Sequence, residues 1–461
     1  MPPSPARAAA FEILLRVERE SSYASDLLHA STYNFLSTLD HALATELVMG
    51  VLRWRSSLDE EIAQASTQPL RKLDIEILTA LRIALYQFRH LNRIPPRAAL
   101  HESVELTKRA RKRSAAPFVN AVLRKLSTNQ KASERSLPLC PSVPPEVSPR
   151  SSEAIARELS HPQWLVERWS SEYGLDVATQ ICRHDQSPPT TAIRLRNAEA
   201  ENELREEGIS MLPGARLTTA RRIQSGDITK TKSFRQGHIA IQDEASQLVA
   251  ALVTSNSPQD ARILDYCAAP GGKTLALADT LPRARITAVE LHPHRARLMK
   301  KLFSTADREL PIAMLVADAR HLRLASQFDR ILADVPCSGT GTLARNPEIK
   351  WRIKPEDLME LHHRQLAILR AAMAHVAPKG RLVYSTCSLE KEENQEVVER
   401  ALAGDSSFQL LDCRAALEDL NRNRVLSYPN TSQLTQGPYL RTVPGVHPCD
   451  GFFAAILERA G

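Results

Sequence analysis

The sequence has no long hydrophobic run. Its apolar stretches all fall short of the roughly 18 residues that a membrane-spanning helix needs. In the first segment, MPPSPARAAAFEILLRVERE, charged residues interrupt every apolar stretch, and this pattern does not match an export signal. These absences predict a protein without membrane spans that works in the cytoplasm.

Cysteines are few, and none lies in a CxxC pair. The seven are widely spaced, at Cys140, Cys182, Cys267, Cys337, Cys387, Cys413 and Cys449. An even count at regular spacing would indicate a disulfide framework, and short CxxC pairs would indicate a zinc site. We therefore expect a reducing compartment, no disulfide framework and no metal.

Aromatic residues make up only 5% of the chain and form no pattern for stacking several bases on a sheet. The charge balance, in contrast, favours a polyanion: 60 Lys and Arg residues exceed 53 Asp and Glu residues, for a net charge of +7. Seven of the basic residues lie in one stretch that contains no acid: Lys108, Arg109, Arg111, Lys112, Arg113, Arg124 and Lys125. The stretch fits a track for RNA phosphates or an ordinary solvated helix face.

The first 130 residues have helical periodicity and no strand pattern. Leu78, Leu81, Leu85 and Phe88, for example, fall on one helix face. Residues 1–130 are thus predicted to form an all-helical domain. Residues 131–160 begin with KASERSLPLCPSVPPEVSPRSS, in which five prolines break helices, and are predicted to be a linker.

The rest of the chain combines helices with strands. Residues 161–235 place a helical stretch, HPQWLVERWSSEYG, before the extended TTAIRLRN, and predict a small α+β domain. Residues 236–461 alternate helical stretches with short apolar strands: RILDYC, RITAVE, IAMLVAD, FDRILAD, RLVYST and GFFAAILE. This alternation predicts an α/β domain with a mostly parallel sheet covered by helices on both faces.

A glycine-rich turn follows the first strand of this domain, in LDYCAAPGGKTLALAD. Glycines at the carboxyl edge of a sheet let the backbone approach a ligand closely. The ending Gly272, Lys273, Thr274 resembles a phosphate-binding loop, but Cys267 replaces the first glycine of that motif and Pro270 removes a backbone donor. A nucleotide triphosphatase is therefore disfavoured.

Acids close the next three strands, as Glu290, Asp318 and Asp334. A carboxylate at the second strand end suits a ribose diol. Each acid could instead only cap the helix that follows it. Three acids beside a glycine-rich turn favour a ligand site.

Two cysteines follow neighbouring strands, Cys337 in ADVPCSGTGT and Cys387 in YSTCSLEKEEN. A lone free cysteine is usually a small buried hydrophobe, but two in polar turns at neighbouring strand ends favour chemistry. A thiolate that adds to cytosine C6 turns the unreactive C5 into a nucleophile for a sulfonium methyl group. Asp334 could assist at N3 and the exocyclic amine. Spacing alone leaves open which cysteine attacks.

These motifs together resemble a known family. CAAPGGKT, ADVPCSGTG followed by RNPEIKW, STCSLEKEEN and DGFFAAILER, with QDEASQLVA ahead of them, are similar to the Fmu/Sun family of RNA 5-methylcytosine methyltransferases over roughly residues 161–461. ARAAAFEILLRVERE, ELVMGVLRWR and FVNAVLRKL resemble the NusB-like RNA-binding fold. The resemblance implies a bacterial 16S rRNA cytosine-C5 methyltransferase with a NusB-like domain, a small α+β domain and a Rossmann-like domain that uses S-adenosylmethionine.

The resemblance also implies residue roles. Cys387 is expected to be the nucleophile, and Cys337 to assist product release, with Asp334 as the third catalytic residue. Cytosine-C5 DNA methyltransferases attack with the cysteine of a PC motif and lack the TC partner, so the presence of both favours RNA. Contacts with S-adenosylmethionine are expected from Cys267, Ala268, Ala269, Pro270, Gly271, Gly272, Lys273, Glu290, Asp318 and Asp334.

Further expectations concern the substrate. The target cytosine must be unstacked, in a loop or flipped out, so that C5 and C6 meet opposite groups. Trp351 could border this base, although simple packing is favoured. We expect a monomer that acts on 16S rRNA before or during small-subunit assembly. Transfer RNA as substrate, or a non-enzymatic RNA-binding assembly factor, are the alternatives.

Overall fold

A computed structural model describes residues 2–20, 22–128, 151–304, 310, 312–427 and 430–461. The chain divides into two compact units, each built from two segments of sequence. Unit 1 comprises Met1–Pro188 and Leu343–Arg352, and unit 2 comprises Pro189–Thr342 and Ile353–Gly461. None of the described helices is both long and apolar enough to cross a membrane.

Unit 1 is helical throughout its described residues. Its helices are α1 Pro5–Glu20, α2 Ala24–Leu28, α3 Thr38–Arg53, α4 Arg55–Ala65, α5 Ile75–His90, α6 Pro96–Arg109, α7 Ala116–Thr128, α8 Ser152–Glu158, α9 Gln163–Tyr173, α10 Leu175–Asp185 and, from the second segment, α16 Ile349–Arg352. Two of the starts follow directly from sequence: the Ser37 hydroxyl accepts the Asp40 N–H before α3, and Pro96 opens α6, where no backbone donor is needed. The predicted all-helical N-terminal fold is confirmed.

Helix α5 lies at the centre of the unit 1 core. The four residues predicted to share a buried face, Leu78, Leu81, Leu85 and Phe88, are all at most 8% exposed. The opposite face is buried as well, because α1, α3, α4, α6 and α7 all pack against this helix. A helix that is buried on all sides is the expected centre of a helical domain.

Helix α8 occupies the last part of the segment predicted as linker. It begins after the final proline of that segment, where the Ser151 hydroxyl accepts the Ala154 N–H at 3.2 Å. Residues 131–150 of the predicted linker lie outside the described residues.

The segment Leu343–Arg352 is buried in unit 1 although it is far from the rest of that unit in sequence. Lys350 Nζ donates to the carbonyls of Arg53 and Ser160, at 3.0 and 2.7 Å. Trp351 Nε1 donates to the Leu52 carbonyl at 2.6 Å. The interpretation of Trp351 as a packing residue is therefore confirmed, and the RNPEIKW motif serves as an internal anchor of unit 1.

Lys350 makes the stability of unit 1 depend on pH. It is 1% exposed, and burial lowers the pKa of its ammonium group to about 7, although the nearby Asp185 charge opposes this shift. In the unfolded chain the pKa lies near its ordinary value, so between about pH 7 and about pH 10 the unfolded state holds a proton that the folded state lacks. This group therefore costs most stability below pH 7, and the cost disappears as the pH rises.

We expect Lys350→Met to reduce the pH dependence of unfolding. The variant also removes a donor from two buried carbonyls: that of Arg53 keeps Gln186 Nε2 at 3.0 Å, whereas the loss at Ser160 costs about 1–3 kcal/mol. Thermal unfolding is followed by circular dichroism from about pH 6 to about pH 9. The stability of the parent relative to that of the variant should increase with pH. Parallel curves for the two proteins would contradict this account of Lys350.

Unit 2 begins with a small antiparallel sheet. Its strands are β1 Ala192–Leu195, β2 Ser210–Pro213, β3 Ala220–Ser225 and β4 Ile239–Ile241, in the order β2-β3-β1-β4. Helices α11 Ala200–Glu206 and α12 Lys232–Arg235 accompany them. Ile193, Leu204, Ile228 and Ile239 form a small core under this sheet. The predicted α+β fold is thus present, but with different boundaries: the predicted helix HPQWLVERWSSEYG lies in unit 1, and strand β4 lies beyond residue 235.

A nine-stranded sheet forms the rest of unit 2. Its strands are β5 Arg262–Asp265, β6 Arg285–Glu290, β7 Ile312–Val316, β8 Phe328–Asp334, β9 Val376–Thr386, β10 Phe408–Leu411, β11 Thr435–Gln436, β12 Tyr439–Thr442 and β13 Phe452–Arg459. The helices are α13 Glu244–Thr254, α14 Gly272–Thr280, α15 Pro293–Phe303, α17 Asp357–Met373, α18 Gln395–Leu402 and α19 Cys413–Arg422. The strand order is β11-β12-β13-β9-β8-β5-β6-β7, with β10 paired to β13.

The sheet is mixed rather than mostly parallel. Strands β7, β6, β5, β8 and β9 are parallel, and the strands beyond β9 pair antiparallel. The expected α/β architecture is confirmed, with this correction to strand direction. Because the five parallel strands point the same way, their carboxyl ends meet at one edge of the sheet, where ligand sites form in such folds.

Candidate active site

The glycine-rich turn connects β5 to α14 at this edge. Gly271 adopts a left-handed backbone conformation, with φ of 104°, and its N–H donates to the Ala268 carbonyl at 2.8 Å. A Cβ at this position would lie 3.1 Å from Phe303 Cε1 and would be conformationally strained. Glycine is therefore needed here both for the turn and for the close approach of α15.

Two of the predicted acids bind backbone donors of the turns that follow them. Glu290 accepts the His292 N–H at 2.8 Å. Asp318 accepts the Arg320 N–H at 3.0 Å and pairs with the Arg320 guanidinium at 2.6 Å, and the guanidinium hydrogen bond holds the pKa of Asp318 down to about 2. The capping interpretation thus applies to Asp318, whose carboxylate stays ionised.

Asp334 has a different role, because its partners are side chains of the neighbouring motifs. Its Oδ2 accepts Lys273 Nζ at 2.6 Å, and its Oδ1 accepts the Ser385 hydroxyl at 2.7 Å. Burial alone would lower the pKa of Lys273, but the charge and hydrogen bond of Asp334, together with the charges of Cys387 and Asp265, outweigh it and the pKa is raised. The glycine turn, the end of β8 and strand β9 therefore join through one partly buried ion pair.

Cys337 and Cys387 meet at this edge, with their Sγ atoms 3.3 Å apart. The hydrogen bond to Cys387 and then burial raise the pKa of Cys337 well above its ordinary range. Cys387 also lies close enough to Lys273 for its charge to raise the pKa of that ammonium group. The two sulfurs thus lie within hydrogen-bonding distance of each other and near the Lys273 ammonium group.

The electrostatic surroundings of Cys267 indicate that the predicted cofactor residues form one cluster. Burial raises the pKa of its thiol well above the ordinary range, and four carboxylates raise it further: Asp265, Asp334, Glu290 and Asp318. All four acids therefore lie near the glycine turn. Cys267 itself stays a thiol in this acidic surrounding.

Asp265 is a site residue that the sequence patterns did not single out. It is 1% exposed at the end of β5, its Oδ2 accepts the Thr274 hydroxyl at 2.7 Å, and Oδ1 has no hydrogen-bond partner among the described residues. Burial raises the pKa of Asp265 to about 7. One sequence signal could have identified Asp265 as a site residue. It lies at the end of an apolar strand, one residue before Tyr266 in LDYCAAPGG.

Family comparisons match all three predicted parts of the chain. Residues 252–458 match the family described as 16S rRNA methyltransferase RsmB/F, residues 4–128 match the NusB family, and residues 161–226 match the ferredoxin-like domain of RsmF/B-like methyltransferases. A relative from Bacillus subtilis, "Probable ribosomal RNA small subunit methyltransferase B", is 34% identical over 99% of both chains. A "Ribosomal RNA small subunit methyltransferase B" from Cronobacter sakazakii is 31% identical over 92% of both.

The chain belongs to the RsmB/F family of 16S rRNA methyltransferases. Membership makes it an S-adenosylmethionine-dependent rRNA methyltransferase. The solved structure called PH0851 has the same fold over 100% of this chain and 99% of its own, with a TM-score of 0.79 and 23% identity. NSun6 from Pyrococcus horikoshii, solved with SFG, covers 65% of this chain and 98% of its own at a TM-score of 0.56 and 19% identity.

Within this RsmB/F chain the predicted site residues come together at the carboxyl edge of the parallel strands. Direct contacts join Cys337 with Cys387 and Lys273 with Asp334, and the electrostatic cluster around Cys267 includes Glu290 and Asp318. Over the described part of the chain, no group of three or more His, Cys, Asp and Glu side chains is arranged to hold a metal ion.

Proposed function

We propose that this protein methylates C5 of a cytosine in 16S rRNA, with Cys387 as the covalent nucleophile. The observation that carries the proposal is the 3.3 Å contact between two thiols at neighbouring strand ends, beside the Lys273–Asp334 pair. A methyl transfer to an already nucleophilic nitrogen or oxygen would need no thiol at all.

The residues around the glycine turn suit S-adenosylmethionine. When bound, it supplies an electrophilic methyl group on a sulfonium. The buried Asp265 Oδ1 lacks a donor, and the cluster of acids near Cys267 favours a cationic ligand. Glu290 is the second-strand acid that would accept hydroxyl hydrogen bonds from a ribose. We therefore assign the turn Cys267–Lys273, with Asp265 and Glu290, to the cofactor, and Asp318, which caps its own turn, to the border of that site.

Cys387 is assigned as the nucleophile because of its position near the Lys273 ammonium group. Cys337 keeps its proton, since its pKa is raised, and its sulfur lies 3.3 Å from that of Cys387. The Lys273 charge lies near Cys387 and stabilises a thiolate there. The Cys387 thiolate adds to C6 of the cytosine, and the pair of electrons displaced from the C5–C6 bond makes C5 reactive.

Cys337 is assigned to product release. After methylation the C5 proton must leave so that the bond between Cys387 and C6 can break. A second sulfur held 3.3 Å from Cys387 is placed to give its own proton to the departing Cys387 sulfur and to take up the C5 proton in its place, so that both cysteines end as thiols. Asp334 is fixed by Lys273 and Ser385 and can orient the cytosine through N3 and the exocyclic amine.

The names of the relatives support small-subunit rRNA as the substrate, since both are ribosomal RNA small subunit methyltransferases. The match of residues 4–128 to the NusB family is consistent with a helical module that captures RNA. We propose that this module holds the substrate while unit 2 carries out the chemistry.

The test is methyl transfer to defined RNAs. The full chain, incubated with radiolabelled S-adenosylmethionine, should label unmodified 16S rRNA and not transfer RNA. Bisulfite sequencing of the product should then reveal one protected cytosine. Labelling of transfer RNA instead would mean that the substrate is transfer RNA. Labelling of neither RNA would favour an assembly factor without catalytic activity.

The basic stretch between Lys108 and Lys125 is partly neutralised in the structure. Lys108 pairs with Glu105 at 2.6 Å, and Lys112 pairs with Asp74 at 2.8 Å. The remaining arginines of the stretch are exposed: Arg109, Arg111, Arg113 and Arg124. The surface therefore retains enough positive charge to contact phosphates, although less than the sequence alone indicated.

We expect the triple variant Arg111→Ala, Lys112→Ala and Arg113→Ala to weaken RNA binding and to flatten its dependence on salt. Each lost phosphate contact should reduce the slope of log affinity against log salt by about 1. Filter binding at several salt concentrations measures both quantities. A matched control replaces the basic residues Arg71, Lys72 and Arg93, which are also exposed, by alanine. An equal loss in the control would mean that total charge, and not this stretch, drives binding.

A further inference from the structure

Each of the two cysteines is followed by a serine, and both serines bind the same buried carboxylate. The hydroxyl groups of Ser338 and Ser388 donate to Oε2 of Glu393, the second at 2.5 Å. The two hydroxyl oxygens lie 3.0 Å from each other. The turns that present Cys337 and Cys387 are thus joined at one oxygen atom.

The other oxygen of Glu393 binds further groups of the same region. Oε1 accepts the Ser338 N–H at 2.8 Å and Gln365 Nε2 at 2.8 Å, and Gln365 also donates to the Pro336 carbonyl at 3.0 Å. The carboxylate therefore receives four hydrogen bonds, two of them from the turn that contains Cys337. Its Oε1 bonds fix the backbone of that turn, while Oε2 connects it to the turn of Cys387.

Glu393 is itself held rigidly on the side of Cys387. Its backbone carbonyl accepts the Tyr384 hydroxyl at 2.6 Å. The next residue, Asn394, accepts the Thr386 hydroxyl at 2.5 Å and donates to the Ser388 carbonyl at 3.0 Å. A displacement of Glu393 would therefore disturb the strand end that carries Cys387.

Burying the Glu393 carboxylate costs folding free energy unless hydrogen-bond donors surround its oxygens. Its side chain belongs to a residue that is 0% exposed, and all four donors to the carboxylate are neutral groups. A buried carboxylate without a cation at its oxygens is stabilised only by such a complete set of donors. Apolar residues packed in the same space would stabilise the fold better. The presence of the buried carboxylate is therefore better explained by the geometry that Glu393 imposes on the two turns.

We propose that Glu393 is a positioning residue that sets the separation of the Cys337 and Cys387 sulfurs. It acts through Ser338 and Ser388 and does not touch the reacting atoms. The consequence for catalysis rests on the function proposed above, in which both sulfurs act on one cytosine. The geometric claim can be tested without RNA or cofactor.

The experiment measures how readily the two thiols form a disulfide. Diamide takes one hydrogen from each thiol, becomes a hydrazine and leaves an S–S bond, and peptide mass spectrometry reports the rate of the Cys337–Cys387 bond. In the parent this bond should form rapidly, because the sulfurs start 3.3 Å apart. In Glu393→Gln it should form at least about tenfold more slowly, since an amide replaces one acceptor oxygen by a donor that faces other donors.

Two further variants control the experiment. Glu399→Gln changes an exposed carboxylate on α18 and should behave like the parent. Glu393→Asp keeps the charge but shortens the side chain, and it should give an intermediate rate. Folding is checked on the same samples through three buried cysteines that must stay unreactive toward iodoacetamide: Cys182, Cys413 and Cys449. If the Gln variant fails this check, the Asp variant carries the test.

Methyl transfer is then measured on the same proteins. Slower disulfide formation with a kcat reduced at least about tenfold, a KM for RNA within about threefold and partial rescue in the Asp variant would support the positioning role. Disulfide formation at the parental rate in a folded variant would overturn it. Slower disulfide formation with parental methylation would support the geometric claim but contradict the two-cysteine chemistry of the proposed function.

Discussion

Replacing Cys337 by alanine is expected to leave the protein covalently attached to its RNA. The variant retains Cys387 and the Lys273–Asp334 pair, so addition to C6 and methylation can still proceed. Release is impaired because the second sulfur, 3.3 Å away in the parent, is missing. Denaturing gel electrophoresis with labelled 16S rRNA should show a slowly migrating adduct that survives denaturant and depends on S-adenosylmethionine.

The matched variants define what this adduct means. Cys387→Ala should form no adduct and should lose methyl transfer by a factor of about 10³ or more, because no nucleophile remains. Cys182→Ala, at a buried cysteine in unit 1, should release RNA like the parent. An adduct in Cys387→Ala but not in Cys337→Ala would reverse the roles assigned to the two cysteines.

The second large effect is expected for Asp334→Asn. This change keeps the shape of the side chain but removes the charge that pairs with Lys273 at 2.6 Å. It leaves the partly buried Lys273 ammonium group without its counterion and takes away the charged acceptor proposed to orient the cytosine. We expect kcat to fall by about 10²–10⁴, the range seen when a positioned catalytic carboxylate or hydrogen-bonding group is lost.

A control on the same strand separates chemistry from folding. Asp329 also lies on β8, but its side chain is 36% exposed, lies 3.9 Å from the Arg262 guanidinium and accepts the Arg262 N–H, which an amide oxygen can also accept. Asp329→Asn should therefore retain activity within about twofold, since exposed ion pairs contribute little. Steady-state methylation of 16S rRNA by both variants is the measurement, and equal losses would remove the special role of Asp334.

Sequence alone located the site because the chemistry-bearing residues close consecutive strands. Asp334 ends β8, and Cys387 directly follows β9. Strands of a parallel sheet end at a common edge, so alternation of strands and helices was enough to predict that these residues converge. The structure confirms that convergence, and the roles of the residues stay predictions.

Contacts within the site could not be predicted, because they depend on how separate loops approach each other. Ser338 and Glu393 are 55 residues apart in sequence and meet through bonds to a single carboxylate. Nothing in SLEKEEN distinguishes Glu393 from the acids beside it, and only the fold shows which one is buried. The orphaned oxygen of Asp265 was hidden for the same reason.

Local sequence patterns also could not predict the direction of each strand or the unit to which a segment belongs. GFFAAILE was predicted as a strand, but its antiparallel pairing with β9 depends on how the chain returns to the sheet. Leu343–Arg352 follows the Cys337 turn in sequence, yet it belongs to unit 1 through bonds of Lys350 and Trp351 to backbone carbonyls about 300 residues or fewer away. Hydrogen bonds to backbone carbonyls leave no signature in the sequence of the acceptor.

Peptide mapping of the adduct tests the central claim most directly. The Cys337→Ala protein is incubated with 16S rRNA and S-adenosylmethionine, digested with nuclease and protease, and examined by mass spectrometry. The account predicts one peptide, containing Cys387, that carries a methylated cytidine nucleotide on its sulfur. A nucleotide attached to any other residue, or methylated 16S rRNA without a covalent peptide at any time point, would contradict it.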